Sequence, residues 1–122
     1  LPDSLVSIGA RAFRFCVSLK RVALPQTLKV ISDSMFSGCF ALESISLPNS
    51  LTTIGMGAFN SCHSLENVTI PDSVMEIGDV AFRGDGNLEL TICSSRFTFD
   101  GICLIDNVSH RLLCCCKKNV DS

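Results

Sequence analysis

The sequence LPNSLTTIGMGAFNSCHSLENVT at residues 47–69 is one copy of a 23-residue unit that recurs along most of the chain. Two copies precede it, LPDSLVSIGARAFRFCVSLKRVA at 1–23 and LPQTLKVISDSMFSGCFALESIS at 24–46. A fourth, IPDSVMEIGDVAFRGDGNLELT, begins at residue 70 and then loses the spacing. Repetition at a fixed period of about 20–50 residues is the sequence signature of a solenoid, so we expect each unit to form one coil of a stack.

The positions that agree between the copies are apolar or proline, whereas the positions between them vary and are mostly polar. A stacked core requires this pattern, because each coil must point the same side chains inward and bury them against its neighbours. The predicted core consists of Ile8, Phe13, Cys16, Leu19, Ile31, Phe36, Cys39, Leu42, Ile54, Phe59, Cys62, Leu65, Ile77, Phe82 and Leu88.

The shared pattern, P-x-[ST]-[LV]-x-x-I-[GS]-x-x-[AM]-F-x-x-C-x-x-L-x-x-[VI]-x-[LI], closely resembles the BspA-type leucine-rich repeat over residues 1–92. The resemblance implies an α/β solenoid, a right-handed coil with a parallel β-sheet on its concave side. It also implies membership of a group of surface proteins, mostly from bacteria and parasitic protists, that bind molecules of a host or a neighbouring cell. We therefore expect residues 1–92 to form an array of about four coils.

Each coil is expected to contain one strand and one outer turn. Residues 19–25, 42–48 and 65–71 read as strands that end at a proline, which cannot donate to a sheet ladder. Residues 33–38 and 56–61 fit one or two helical turns on the outer side. The tail at 93–122 is not a further copy, and its alternating pattern from residue 97 to 113 predicts a β-hairpin. This hairpin resembles an insert that often lies between repeat blocks in the same family, and it serves either as a cap or as a truncated insert.

The outward side chains of the stacked strands are predicted to form columns, because neighbouring strands lie about 4.8 Å apart. In leucine-rich repeats the concave sheet is the usual docking face, so the resemblance implies a binding site there. The alternative is an ordinary solvated sheet face. The candidate binding residues are Lys20, Arg21, Ala23, Glu43, Ser44, Ser46, Glu66, Asn67 and Thr69.

Composition argues against several classes of function. The net charge is −2, and a nucleic-acid-binding protein usually carries a basic face instead. The apolar run at 112–116 is too short to span a bilayer, so we expect no transmembrane segment in this piece. The sequence shows no signal peptide, but it opens inside a repeat without an initiating Met. We expect it to be part of a longer array, with adjacent repeats as neighbours, or a processed chain.

The eight cysteines fall into two groups. Those at the repeat position are expected to be buried thiols that act as small hydrophobic groups. The others are Cys93, Cys103, Cys114, Cys115 and Cys116 in the tail, and their redox state stays open. A disulfide from Cys93 or Cys103 to the run at 114–116 is one alternative, and lipid modification of that run is another. The spacing does not favour a zinc site, so we expect no metal.

Catalytic patterns are lacking in the sequence. His63 and His110 are the only histidines, and Cys62 is expected to point into the core while His63 points away from it. That arrangement does not activate a thiol. No phosphate loop, zinc-protease motif or nucleophile elbow is present, so we expect neither an enzyme nor a cofactor.

These observations and the resemblance together predict a non-enzymatic protein-binding or adhesion module at the cell surface, or in a secreted protein. Its partner would be a protein ligand, such as a host or extracellular-matrix protein, and no nucleic acid is expected. The alternative is a structural scaffold or spacer segment of a longer repeat protein, with no ligand of its own. An intracellular location fits that alternative, because many unpaired thiols favour a reducing compartment.

Overall fold

A computed structural model describes residues 9, 12–84, 88–93, 95–99, 103–108 and 111–115, so the predicted core residue Ile8 lies outside the described part. The described strands form three sheets. Their bounds are β1 Arg21–Ala23, β2 Val30–Ile31, β3 Ser44–Ser46, β4 Thr53–Ile54, β5 Asn67–Ile70, β6 Glu76–Ile77, β7 Glu89–Ile92, β8 Phe97–Phe99, β9 Cys103–Asp106 and β10 Arg111–Cys115.

The first sheet is parallel, has the order β1-β3-β5-β7 and takes one strand from each coil. Strands β1 and β3 pair with Arg21 opposite Ser44 and Val22 opposite Ile45. The inward residues of β3 and β5 are buried, while their outward residues are exposed. The prediction of a repeat solenoid with a parallel sheet is therefore confirmed.

A second parallel sheet, β2-β4-β6, lies after the proline turn of each coil. The turn is closed by a hydrogen bond from the amide of the fourth residue to the proline carbonyl, as from Leu51 N to Pro48 O at 3.1 Å. The serine inside the turn reaches the preceding coil, since Ser50 Oγ donates to Leu28 O at 2.6 Å and Ser73 Oγ donates to Leu51 O at 2.6 Å. These two serines therefore join neighbouring coils through the proline turns.

The predicted outer helical turns, and with them the α part of the α/β class, are wrong for the residues that the structure describes, where 33–38 and 56–61 form turns. The amides of alternate residues point along the stack instead of back along a helix. Phe36 N donates to Ala58 O at 2.8 Å, and Gly38 N donates to Asn60 O at 2.8 Å. An α-helix would need these amides for its own i−4 carbonyls, so the bonds between coils replace the helix.

Two positions of the repeat have a positive φ wherever the structure describes them, which also prevents a helix there. One position holds Ser34, Gly57 and Val80, with φ of 56°, 63° and 52°. The other position holds Phe15, Gly38, Ser61 and Gly84, with φ of 61°, 73°, 62° and 82°. Only three of these seven residues are glycine, so the stacking of the coils imposes the left-handed conformation on residues that do not favour it.

The core is built from ladders of identical side chains. The rings of Phe13, Phe36, Phe59 and Phe82 stack in sequence with centroid distances of 5.4, 5.3 and 5.3 Å. The other predicted core residues from Ile31 to Leu88 are also buried. In the first coil Phe13, Cys16 and Leu19 are only half-buried and pack against this core from one side.

The repeat cysteines form a second ladder next to the phenylalanines. Cys39 Sγ donates to Phe13 O at 3.0 Å and Cys62 Sγ donates to Phe36 O at 3.1 Å, so each thiol reaches one coil back. Cys16, Cys39 and Cys62 form no disulfide. Burial raises the pKa of the Cys39 thiol above its ordinary value of 9.0, because the core disfavours the thiolate.

The tail contains a third sheet, which is antiparallel and has the order β10-β9-β8. The predicted hairpin therefore has three strands in place of two. Phe97 and Leu104 are buried in the same hydrophobic cluster as the ladders of the solenoid. Cys93 is exposed and forms no disulfide. The backbone register sets Cys103 opposite Cys115, and a disulfide between Cys103 and the cysteine run stays a prediction.

Candidate functional site

The outward side chains of β1, β3, β5 and β7 form what we call the four-stranded face. Arg21 lies opposite Ser44, which lies opposite Asn67, and all three are exposed. A second column begins with Ala23 opposite Ser46 and ends with Thr69 opposite Thr91. The side chains of these two columns are mostly small and polar, and the cation Arg21 lies at the β1 end. The columns therefore offer hydrogen-bonding groups and no large apolar patch.

Three of the candidate residues lie just before the strands, at the edge of the four-stranded face. Lys20, Glu43 and Glu66 are exposed, and their backbones are joined along the stack. Glu43 N donates to Lys20 O at 2.8 Å and Glu66 N donates to Glu43 O at 3.3 Å. The edge is therefore basic at the first coil and acidic at the next two.

The fourth coil is one residue shorter, and this changes what it contributes to the face. Asn67 and Glu89 are paired at a separation of 22 positions, whereas Ser44 and Asn67 are paired at 23. Leu65 and Leu88 are both buried, and Glu89 N donates to Glu66 O at 2.7 Å as Glu66 N donates to Glu43 O. Glu89 therefore corresponds to Glu66, and the missing residue comes directly after it. Glu89 takes the place next to Asn67 on the face, and a third carboxylate joins the two at the edge.

These three glutamates line an open groove of about 530 Å³ at the edge of the four-stranded face. Three of the candidate residues, Glu43, Glu66 and Asn67, line it together. The remaining candidates, Lys20, Arg21, Ala23, Ser44, Ser46 and Thr69, do not line it, and those on the strands form the face beside it. The other lining residues are His63, Ser64 and Glu89, which sequence reasoning did not include.

The sequence held a signal for two of the omitted residues. His63 and Ser64 directly follow the ladder cysteine Cys62, and the residues at that place in the preceding coil, Phe40 and Ala41, break the polar pattern. Phe40 and His63 stack with a centroid distance of 5.2 Å and an interplanar angle of 7°. The omitted Glu89 directly follows the ladder residue Leu88, as Glu66 follows Leu65, so its spacing in the sequence was a signal as well.

The His63 side chain and the Phe40 backbone are held by three hydrogen bonds, two of which join neighbouring coils. His63 Nδ1 donates to Gly84 O at 3.1 Å, which requires the tautomer or the cation that carries a proton on Nδ1. Ser64 Oγ donates to Phe40 O at 2.7 Å, and Phe40 N donates to Gly38 O at 2.9 Å. The groove therefore has a wall of defined geometry, although Phe40 and His63 are exposed and Ser64 is only half-buried.

Metal binding finds no support in this arrangement. Across the described residues, no group of three or more His, Cys, Asp or Glu side chains is placed to hold an ion. The same part of the chain contains no helix that is both long and apolar enough to cross a membrane. The site is thus described by surface shape, charge and hydrogen-bonding groups.

The repeat pattern and the coil geometry agree with a known family model. The model, described as a BspA type leucine rich repeat region, matches residues 1–107 with six copies. The chain belongs to this family. BspA-type leucine-rich repeats are generally non-enzymatic, and their fold is consistent with a protein-interaction or scaffold module. A comparison with curated proteins found no match.

Solved structures of other leucine-rich repeat proteins resemble the fold. A leucine-rich repeat protein from Bacteroides ovatus is 40% identical with a TM-score of 0.71, over 75% of this chain and 24% of that protein. A leucine rich cell surface protein from Faecalibacterium prausnitzii is 30% identical with a TM-score of 0.74, over 84% of this chain and 27% of that protein. The leucine rich repeat protein of T. pallidum is 34% identical with a TM-score of 0.56, over 74% of this chain and 56% of that protein. This chain thus spans about a quarter of the first two proteins.

Proposed function

We propose that this chain is a protein-binding module of a cell-surface leucine-rich repeat protein and that it recognises its partner through the four-stranded face. The observation that supports this proposal most is the regular exposure of two side-chain columns on a parallel sheet whose inner strands, β3 and β5, are hydrogen-bonded on both sides. Such a sheet holds its outward groups in a fixed array, and preorganised groups bind a partner with a smaller entropic cost.

The surface location is part of the same proposal. One similar structure belongs to a protein described as a cell surface protein, and the family resemblance points in the same direction. A host or matrix protein is the proposed class of ligand. The residues proposed to contact it are those of the two columns, with Lys20, Glu43 and Glu66 at the edge.

The test is binding of the folded chain to immobilised fibronectin, laminin and collagen, compared with two triple variants. Arg21→Glu/Ser44→Glu/Asn67→Glu alters the four-stranded face. Lys29→Glu/Met56→Glu/Met75→Glu changes the net charge equally at exposed positions outside that sheet. We expect saturable binding by the wild type and the second variant and none by the first.

Two results would count against the proposal. Equal loss of binding in both variants would place recognition away from the four-stranded face. A folded wild-type chain that binds none of these proteins would favour the scaffold function, in which the coils act only as a spacer. Far-UV circular dichroism checks folding of all three proteins, since the chain has neither Trp nor Tyr for fluorescence.

A further inference from the structure

The edge of the four-stranded face combines two features that do not depend on each other. One is the groove of about 530 Å³ that Glu43, Glu66 and Glu89 line. The other is an exposed aromatic ledge, formed by Phe40 and the His63 ring stacked on it. His63 and Ser64 join the two features, because both line the groove and both contact Phe40.

The Phe40 ring of the ledge is not part of the hydrophobic core. Phe40 is 44% exposed, whereas the phenylalanines of the core ladder in the same and the next coil are fully buried. Its backbone is held by hydrogen bonds to Gly38 and Ser64, and its ring is held by the parallel imidazole. A rigid exposed aromatic group is the type of residue that anchors protein interfaces, because little conformational entropy is lost on binding.

The negative charge of the groove indicates a positively charged partner. Three glutamates from successive coils line one groove, and Lys20, which holds the same place in the first coil, does not line it. Two coil intervals of about 4.8 Å separate the first glutamate from the third, which is roughly the length of three extended residues. A short segment with several lysines or arginines therefore matches both the charge and the length of the groove.

We propose that this edge binds a cationic peptide segment of a partner protein, with basic side chains among the three glutamates and one aromatic side chain on the Phe40–His63 ledge. The proposal rests on the proposed protein-binding function and names the chemistry of the partner. The histidine adds an aromatic surface, while the glutamates supply the charge.

The test uses a synthetic peptide of about eleven residues, with four lysines and one central phenylalanine in a glycine–serine background. Its affinity for the whole chain is measured by calorimetry at about 0.05 M and about 0.3 M salt. Glu43→Gln/Glu66→Gln/Glu89→Gln should weaken the affinity about tenfold or more at low salt, since three exposed ion pairs are lost together. The difference should shrink at high salt, which screens exposed charges.

A matched variant removes the same number of carboxylates elsewhere. Asp72→Asn/Glu76→Gln/Asp79→Asn changes exposed residues of the fourth coil near β6, and it should leave the affinity within about twofold. Equal weakening by both triple variants would show a general charge effect and would overturn the proposal. Failure of the wild type to bind the peptide at low salt would also overturn it.

The ledge is tested by pairing a protein variant with a peptide variant. Phe40→Ala should weaken binding of the peptide about threefold to tenfold and should leave binding of its phenylalanine-to-alanine version unchanged. Equal weakening of both peptides would remove the ledge from the proposal.

The peptide and the matrix proteins test different proposals. If the peptide binds as expected but the matrix proteins do not, the proposal of a cationic peptide partner stands and the proposal of a matrix-protein ligand fails. If the matrix proteins still bind the Glu43→Gln/Glu66→Gln/Glu89→Gln variant, recognition by the four-stranded face does not require the groove.

Discussion

The backbone conformation of a single residue is determined by the coil that contains it, and the φ angle of Val80 shows this most clearly. Its φ of 52° is unfavourable for any residue with a Cβ and most unfavourable for a β-branched one. Glycine occupies the same place in the preceding coil, at Gly57. The strain at Val80 is therefore local. It persists because bonds from the third coil, Gly57 N to Asp79 O at 3.0 Å and Phe59 N to Ala81 O at 2.7 Å, hold the residues before and after it.

Replacing Val80 by glycine should stabilise the protein. We expect Val80→Gly to raise the free energy of unfolding by about 0.5–1 kcal/mol, because relief of the left-handed strain exceeds the entropy that glycine gains in the unfolded chain. Gly57→Val should lower it by about 2 kcal/mol, since it introduces the same strain at a buried position. Urea unfolding followed by far-UV circular dichroism measures both changes.

Val30→Gly is the matched control for this prediction. Val30 is also half-buried, but it lies in β2 and does not have a positive φ. Glycine there should destabilise the protein by about 1 kcal/mol. If Val80→Gly and Val30→Gly destabilise equally, the left-handed conformation at Val80 carries no strain.

The elements show which parts of the fold the sequence could predict. The strands and the buried ladders could be predicted from the spacing of Phe13, Phe36, Phe59 and Phe82. A fixed period repeated in four copies indicates coils that stack with equivalent residues in contact. The outer turns did not follow, since 33–38 has helix-compatible residues. Its amides bond to the next coil instead, and sequence propensity does not record such competition between coils.

The candidate site was predictable to a similar extent. Glu43, Glu66 and Asn67 were placed by counting from the ladder residues, and they do line the groove. Glu89 directly follows the ladder residue Leu88, at the same spacing of 23 that relates Glu43 to Glu66, so counting reaches it as well. The prediction omitted it because the fourth copy loses the repeat pattern in its strand. The sequence predicts only that His63 points away from the core, and the ring of Phe40 one coil away gives it a place in a defined surface.

The antiparallel tail sheet is the element whose role is easiest to test. Leu104 in β9 is fully buried in the core of the solenoid, which supports the proposal that this sheet caps the last coil. Leu104→Ala should lower the free energy of unfolding of the whole chain by about 2–5 kcal/mol and should preserve a single transition. Scanning calorimetry measures the change.

Leu112→Ala is the control, because Leu112 in β10 is 55% exposed and should change stability by no more than about 0.5 kcal/mol. A separate low-temperature transition in Leu104→Ala, with the main transition unchanged, would mean that the tail unfolds independently and does not cap the coils.

At the scale of the whole molecule, burial is unequal along the stack. Phe59 lies between two rings and is fully buried, whereas Phe13 stacks on one described ring and is half-buried. In a solenoid each coil is stabilised only by its neighbours, so the same substitution should have different effects at the two places.

Phe59→Ala should lower the free energy of unfolding by about 3–5 kcal/mol, and Phe13→Ala should lower it by roughly half as much or less. Urea unfolding of the two variants beside the wild type measures the difference. Equal losses would mean that the first coil is packed as tightly as the third, against the burial of Phe13.

The hydrogen bonds along the stack recur with the same partners in each coil. Phe13 N, Phe36 N and Phe59 N each bond to the residue before the next ladder phenylalanine, at 2.9, 2.8 and 2.7 Å. A gene segment that encodes one coil could therefore be duplicated or deleted by unequal recombination, and every new neighbour would meet the partners it already had. The number of coils in such a protein can therefore change during evolution while the contacts between coils stay the same. The exposed columns can still diverge from coil to coil.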